Sequence, residues 1–227
     1  MYNKLKKVPK IFILLFFSFT IFSLAQEDKS VKTVKVACIG NSITFGSGLE
    51  DRAKDSYPAV LGRILDKGYE VRNFGVSGRT LLRNGDFPYW KETVFLNAIA
   101  FNPDVVIIKL GTNDSKPQNW KYKNEFEKDY GNLIDTFKKL PSNPQIFVCK
   151  PVPAFKLNWG INDSVIVNEM IPMIENVCKE KKVEIIDLYT PFKSEGRVFP
   201  GGIHPNAEGA AMMAKEIFKA ITWKEIE

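Results

Sequence analysis

The stretch Val34-Lys35-Val36-Ala37-Cys38-Ile39-Gly40-Asn41-Ser42-Ile43-Thr44 decides how the chain is read. Its first six residues are β-rich and largely apolar without strict alternation, as in a strand covered on both faces. The apolar run then stops at a glycine and passes into small polar residues, as a strand does when it leaves a sheet. Similar runs recur at Glu70–Phe74, Val105–Leu110, Gln145–Lys150 and Val183–Asp187. Between them lie segments with helical spacing: Tyr57–Lys67, Lys91–Phe101, Glu125–Leu140 and Ile166–Lys182. A last helix is expected over Asn206–Ile221, with Asn206 as N-cap and Glu208 in its first turn. Strands alternating with helices predict an α/β fold, a five-stranded parallel sheet wrapped on both faces by right-handed crossovers. With no internal repeat and no second core, one domain is expected over about residues 31–227.

In such sheets the chemistry gathers in loops at the carboxyl ends of the strands. The first of these loops holds Ser42. The second reads Gly75-Val76-Ser77-Gly78-Arg79-Thr80 and the third Gly111-Thr112-Asn113-Asp114. The only histidine of the chain, His204, stands in Gly201-Gly202-Ile203-His204-Pro205, just before the final helix. A serine nucleophile needs a base and donors for the oxyanion that develops on its substrate. Ser42 follows a tight turn that presents Oγ, and its own backbone N–H can serve as one donor. Gly78 offers a second N–H with no side chain in the way, and the Asn113 amide a third. His204 is the one base available. Each segment alone reads as well as a turn or a helix cap; their joint occurrence at strand ends favours a catalytic site.

Composition narrows the alternatives. The 227 residues carry a formal charge of +6, three cysteines and one histidine. A single histidine excludes a poly-histidine metal centre. Cys38, Cys149 and Cys178 form no CxxC pair, which excludes a zinc ribbon. Cys38 and Cys149 read as buried apolar thiols, and one disulfide with a leftover thiol stays open. Residues 1–25 combine Lys4, Lys6, Lys7 and Lys10, an apolar run over Ile11–Ala25, and small residues ahead of Gln26. These are the parts of a secretory signal peptide cleaved after Ala25, the run being short for a membrane span. Its removal lowers the charge to +2, so no nucleic-acid partner is expected, and no membrane association after cleavage. The mature domain is expected to be exported, periplasmic or secreted.

The four loops, taken in order, resemble the sequence blocks of the SGNH or GDSL-type hydrolase family. Gly40-Asn41-Ser42-Ile43 matches its first block, with Asn41 where the family usually has an acid. Gly78 falls at the oxyanion glycine of the second, Gly111-Thr112-Asn113-Asp114 matches the third intact, and His204-Pro205 matches the last. The resemblance implies a flavodoxin-like three-layer α/β/α sandwich and ester hydrolysis through an acyl-serine, without metal or organic cofactor. Ser42 and His204 would be catalytic, and Ser42, Gly78 and Asn113 would form the oxyanion hole. The Gly-Asn-Ser-Ile-Thr start and the Gly-Val-Ser-Gly-Arg-Thr second block resemble exported carbohydrate acetylesterases, including sialate-type O-acetylesterases. Lysophospholipase or thioesterase activity, and glycan binding on an impaired scaffold, are the alternatives.

The family acid, three residues before the histidine, falls at Gly201. That carboxylate holds the imidazole tautomer and stabilises the imidazolium. Three arrangements compete: the residue-201 carbonyl accepts the imidazole N–H; Asp187, Glu195 or Glu208 approaches in the fold; or the site is crippled. The first is expected, because every other part of the machinery is present. Arg79, Trp120 and Trp159 are candidate substrate contacts, through hydroxyl or carboxylate binding and sugar stacking. For the two tryptophans, filling gaps beneath the loops is an equal alternative.

Overall fold

The structure, a computed structural model, describes residues 33–65 and 67–222. The expected signal segment lies outside the described residues. Five strands form one sheet: β1 (Val34–Gly40), β2 (Tyr69–Gly75), β3 (Val105–Lys109), β4 (Gln145–Cys149) and β5 (Glu184–Ile186). All neighbours are parallel, in the order β2-β1-β3-β4-β5. The principal helices are α1 (Tyr57–Leu65), α2 (Thr93–Phe101), α3 (Phe126–Lys138), α4 (Ile171–Lys181) and α5 (Ala207–Thr222).

The apolar strand runs explain the layers. Alternate residues of a strand point to opposite faces, and here both faces are buried. Ala37, Ile39, Val106, Ile108 and Val148 pack with Phe95, Ala98, Ile134, Phe137 and Ile174 of α2, α3 and α4. Val36, Cys38, Ile107, Phe147 and Cys149 pack with Leu61 of α1 and Met213, Ala214 and Ile217 of α5. The result is the expected three-layer α/β/α sandwich. Its strand order is the flavodoxin-like one, with the switch point at β1 and β3, where successive crossovers leave on opposite sides.

Register brings the strand ends together. Gly40 lies opposite both Gly75 of β2 and Lys109 of β3, so the first three loops spring from one edge. The three cysteines are buried free thiols, and burial pushes Cys149 and Cys178 up to about 12. They are packing residues and form no disulfide.

One helix departs from expectation. The segment read as a single helix over Ile166–Lys182 has a π-helical turn at Ile166–Met170 before α4 begins. Pro172 lacks the N–H that an unbroken α-helix needs at this point, so the ladder widens by one residue.

Candidate active site

Ser42 leaves β1 through a turn that only glycine permits. A Cβ at Gly40 would lie 2.0 Å from Thr44 Oγ1, so the chain can fold straight back into the single helical turn Ser42–Phe45. Asn41 caps this turn, its Oδ1 accepting from the Ile43 N–H at 3.2 Å. As the first residue of the turn, Ser42 has a backbone N–H with no acceptor inside it. Its Oγ is 2.9 Å from His204 Nε2, although the two residues are 162 positions apart in the chain. That distance suits direct proton transfer.

The second and third loops are locked to one another. Asp114 is fully buried, and its carboxylate accepts the Leu81 N–H at 3.0 Å and the Leu82 N–H at 2.8 Å. Burial nonetheless outweighs those N–H groups and pushes the Asp114 carboxyl up to about 7. Asn113 donates one side-chain amide hydrogen to the Arg79 carbonyl at 3.0 Å, and its backbone carbonyl accepts from Asn119 Nδ2 at 2.9 Å. A primary amide has two hydrogens, so fixing one on Arg79 orients the other. Gly78 has φ of 80°, the left-handed region, while a Cβ there would meet nothing within 4 Å. Its glycine is therefore required by conformation, not by crowding. Ser77 Oγ meets Ser47 Oγ at 2.6 Å, joining the first loop to the second.

The histidine is held from another direction. Asn206 caps α5, its Oδ1 accepting from the Gly209 N–H at 2.9 Å, as expected of an N-cap. Ahead of it, the Gly202 carbonyl accepts from the Phe155 N–H at 2.8 Å, and the Gly201 carbonyl accepts from Asn158 Nδ2 at 2.5 Å. The Trp159 ring lies 5.4 Å from the His204 ring, tilted by 36°. Burial, and secondarily the nearby Lys109 ammonium, hold the imidazole below the ordinary histidine value. Lys109 is fully buried at the end of β3. Its Nζ has no hydrogen-bond partner among the described residues, and burial pushes it down to about 8.

Four expectations are corrected. The Gly201 carbonyl accepts from Asn158 Nδ2, and among the described residues the His204 ring makes its hydrogen bond to Ser42 and none to that carbonyl. Nor do the alternative acids reach the ring. Asp187 accepts from the Tyr189 and Thr190 N–H groups, while Glu195 and Glu208 pair with Arg197. Trp120 is buried, set edge-to-face against Phe126 at 5.4 Å and donating to Glu169, so it fills the core. Arg79 is occupied by Glu92 at 2.8 Å and by the Ser77 carbonyl, and it does not line the pocket. Trp159 does line it and is 65% exposed.

The pocket at these loops has a volume of about 210 Å³ and contains Ser42, Gly78, Asn113 and His204. Ser47, Ser77, Lys116 and Ile161 also line it and were not singled out from the sequence. Ser77 stands inside the second block without a role read from it, while Ser47, Lys116 and Ile161 carry no motif and reach the pocket through loop geometry. Lys109 did leave a signal, a lysine inside the apolar run Val105–Leu110. A shallower groove of about 490 Å³ between β5 and α5 holds neither Ser42 nor His204.

Fold and site together define a flavodoxin-like α/β domain with a serine and a histidine in contact at the carboxyl edge of its sheet. The chain belongs to the GDSL-like lipase/acylhydrolase family, whose profile matches residues 38–212. It is 48% identical over 206 residues to an acetylxylan esterase of Xylanibacter ruminicola, covering 83% of this chain and 43% of that protein. This chain thus spans less than half the length of that relative. A carbohydrate acetylesterase from Sinorhizobium meliloti has the same fold, with a TM-score of 0.64 at 19% identity over 84% of this chain and 99% of that one. A two-domain esterase active on acetylated mannans superimposes with a TM-score of 0.62 at 20% identity, over 86% of this chain and 50% of that one.

Proposed function

We propose that the protein is an exported serine esterase that removes acetyl groups from a carbohydrate through an acyl-serine intermediate. The observation that carries the reading is the 2.9 Å approach of His204 Nε2 to Ser42 Oγ at the carboxyl edge of the sheet. Ser42 attacks the ester carbonyl while His204 takes its proton. The oxyanion is received by the Ser42 and Gly78 N–H groups and the Asn113 amide. His204 then protonates the departing sugar oxygen, and water, deprotonated by the same imidazole, releases acetate and restores Ser42. A lowered histidine pKa keeps the base neutral at neutral pH, the form that can accept the proton.

The pocket supports a short acyl group. At about 210 Å³ it is smaller than the ~300–1,000 Å³ usual for drug-sized ligands, which disfavours a lysophospholipase or thioesterase reading. The acetylxylan esterase relative supports a carbohydrate as the alcohol part. Export rests on the composition of residues 1–25. One observation favours a second reading, glycan binding without turnover: the carboxylates at 187, 195 and 208 are engaged away from His204.

The test is hydrolysis of 4-nitrophenyl acetate, butyrate and octanoate, and acetate release from acetylated xylan, with Ser42→Ala as control. Activity falling with chain length is expected. A wild type no better than Ser42→Ala gives the protein to the binding reading, and a preference for octanoate removes the carbohydrate reading. N-terminal sequencing of the exported protein is expected to begin at Gln26.

A further inference from the structure

We propose that Trp159 is a positioning residue for His204: its indole orients the imidazole and stabilises the imidazolium that forms when Ser42 gives up its proton. The inference rests on the reading of Ser42 and His204 as nucleophile and base. It starts from a need. As Oγ bonds to the ester carbon, the Oγ–H bond breaks and the proton passes to Nε2, leaving a full positive charge on a half-buried ring. Burial disfavours that charge, and Lys109 adds like-charge repulsion. Asp187, Glu195 and Glu208, the acids that might have answered it, are bound elsewhere.

What lies beside the ring is an aromatic side chain. The indole centroid lies 5.4 Å from that of the imidazole at 36°, within the roughly 6 Å over which a cation is attracted to an aromatic quadrupole. Tryptophan is the strongest of the aromatic side chains in this role.

The loop behaves as if built to hold that ring in place. Trp159 has φ of 54°, a left-handed conformation unfavourable for a bulky side chain, and is 65% exposed. The fold thus bears backbone strain at an exposed apolar residue that returns little packing, a combination that points to function. Its neighbours clamp the same unit: Asn158 Nδ2 donates to the Gly201 carbonyl and the Phe155 N–H to the Gly202 carbonyl. The loop's own ends are fixed, with the Ala154 N–H on Asp163 Oδ1 at 2.7 Å and the Asn162 N–H on Ser115 Oγ at 3.0 Å. Orientation and charge stabilisation, the two duties of a triad carboxylate, therefore come from one loop.

The experiment uses 4-nitrophenyl acetate, which has no sugar to stack, and the untagged protein, whose single histidine titrates by NMR without overlap. Trp159→Leu is expected to lower kcat about 3–30-fold with KM within threefold, equivalent to ~0.7–2 kcal/mol. The His204 titration midpoint is expected to move to lower pH by about 0.5–1.5, because the charged form loses its partner. Trp159→Phe, which keeps a π face, should recover most of both. The proposal is overturned if Trp159→Leu leaves kcat within twofold and the midpoint unmoved or raised, or if Phe fails as badly as Leu. A loss confined to acetylated xylan likewise overturns it, since the indole then serves only as a sugar platform. Failure of the esterase reading itself is separable: the wild type would then match Ser42→Ala, while the NMR midpoint still reports on the indole.

Discussion

The two halves of the site are built differently. On the oxyanion side, Asn113 is gripped through its side-chain amide and its backbone carbonyl, and Asp114 staples the second loop to the third through two backbone N–H groups. On the base side, His204 has a hydrogen bond to Ser42, a tilted indole and a clamped pair of glycine carbonyls. One half is over-determined by hydrogen bonds inside the core. The other depends on a surface loop. Preorganised donors need to be rigid before the reaction begins, whereas a base exchanges its proton in turn with nucleophile, leaving group and water. The difference suggests that changes on the oxyanion side will be severe, and that the base side can be tuned.

The largest effects should come from the atoms that both halves share. Ser42→Ala and His204→Ala are each expected to lower kcat on 4-nitrophenyl acetate by about 10⁴-fold or more, read against the uncatalysed rate. Activity close to that of the wild type in either variant would mean that the 2.9 Å contact is not the reacting pair. Next is the oxyanion side alone. Asn113→Ala should cost about 10²–10³-fold in kcat with little change in KM, since the donor acts on charge present only in the transition state. An effect mainly on KM would assign the amide to substrate binding.

Smaller changes sharpen the base side. A Cβ at Gly201 meets nothing within 4 Å, so Gly201→Asp can be introduced without a clash. A carboxylate near the imidazole favours its charged form, so the acid limb of kcat/KM should move to higher pH and kcat should rise severalfold, less than the ~10⁴-fold worth of a fully preorganised triad acid. No movement of the limb would show that residue 201 does not address His204. In the proposed mechanism the neutral imidazole is the active form, and burial lowers its pKa. Activity should therefore persist below the ordinary histidine value of about 6.5 and be lost only as pH falls through the depressed one. A limb above 6.5 would contradict burial as the dominant influence.

The smallest expected effect concerns stability and belongs to the rigid half. Asp114 is held at about 7 in the fold against 3.8 as the ordinary value, so the folded state binds more protons between those limits. Its contribution is therefore largest at acidic pH and declines as pH rises through that window. The unfolding midpoint of Asp114→Asn, followed by denaturant titration from pH 4 to 7, should depend less on pH than that of the wild type. An unchanged slope would show that another group titrates.

How much of this was legible depended on the range of the interaction. The continuous apolar runs at Val34–Ile39 and Val105–Leu110 marked doubly covered strands, because both of their faces are buried against helices. Asn206 announced its helix through local capping chemistry. The break at Ile166–Met170 also has a local cause, Pro172, which the helical spacing of Ile166–Lys182 does not reveal. Trp120 and Trp159 looked alike in sequence, each a tryptophan in a loop after a strand. One is buried against Phe126 and the other stands exposed beside His204.

The sequence by itself determined the layered parallel sheet, the edge at which function would gather, and the residues whose chemistry is scarce: one histidine, and a serine behind a strand-ending glycine. Those follow from periodicity and backbone sterics, which act over a few residues. What holds the histidine was decided only by tertiary structure. Whether a carbonyl, a carboxylate or an indole reaches that ring depends on partners dozens of positions away, and on hydrogen bonds that each group has already made. The Gly201 carbonyl meets Asn158, Arg197 pairs with the two glutamates, and the ring beside His204 is that of Trp159.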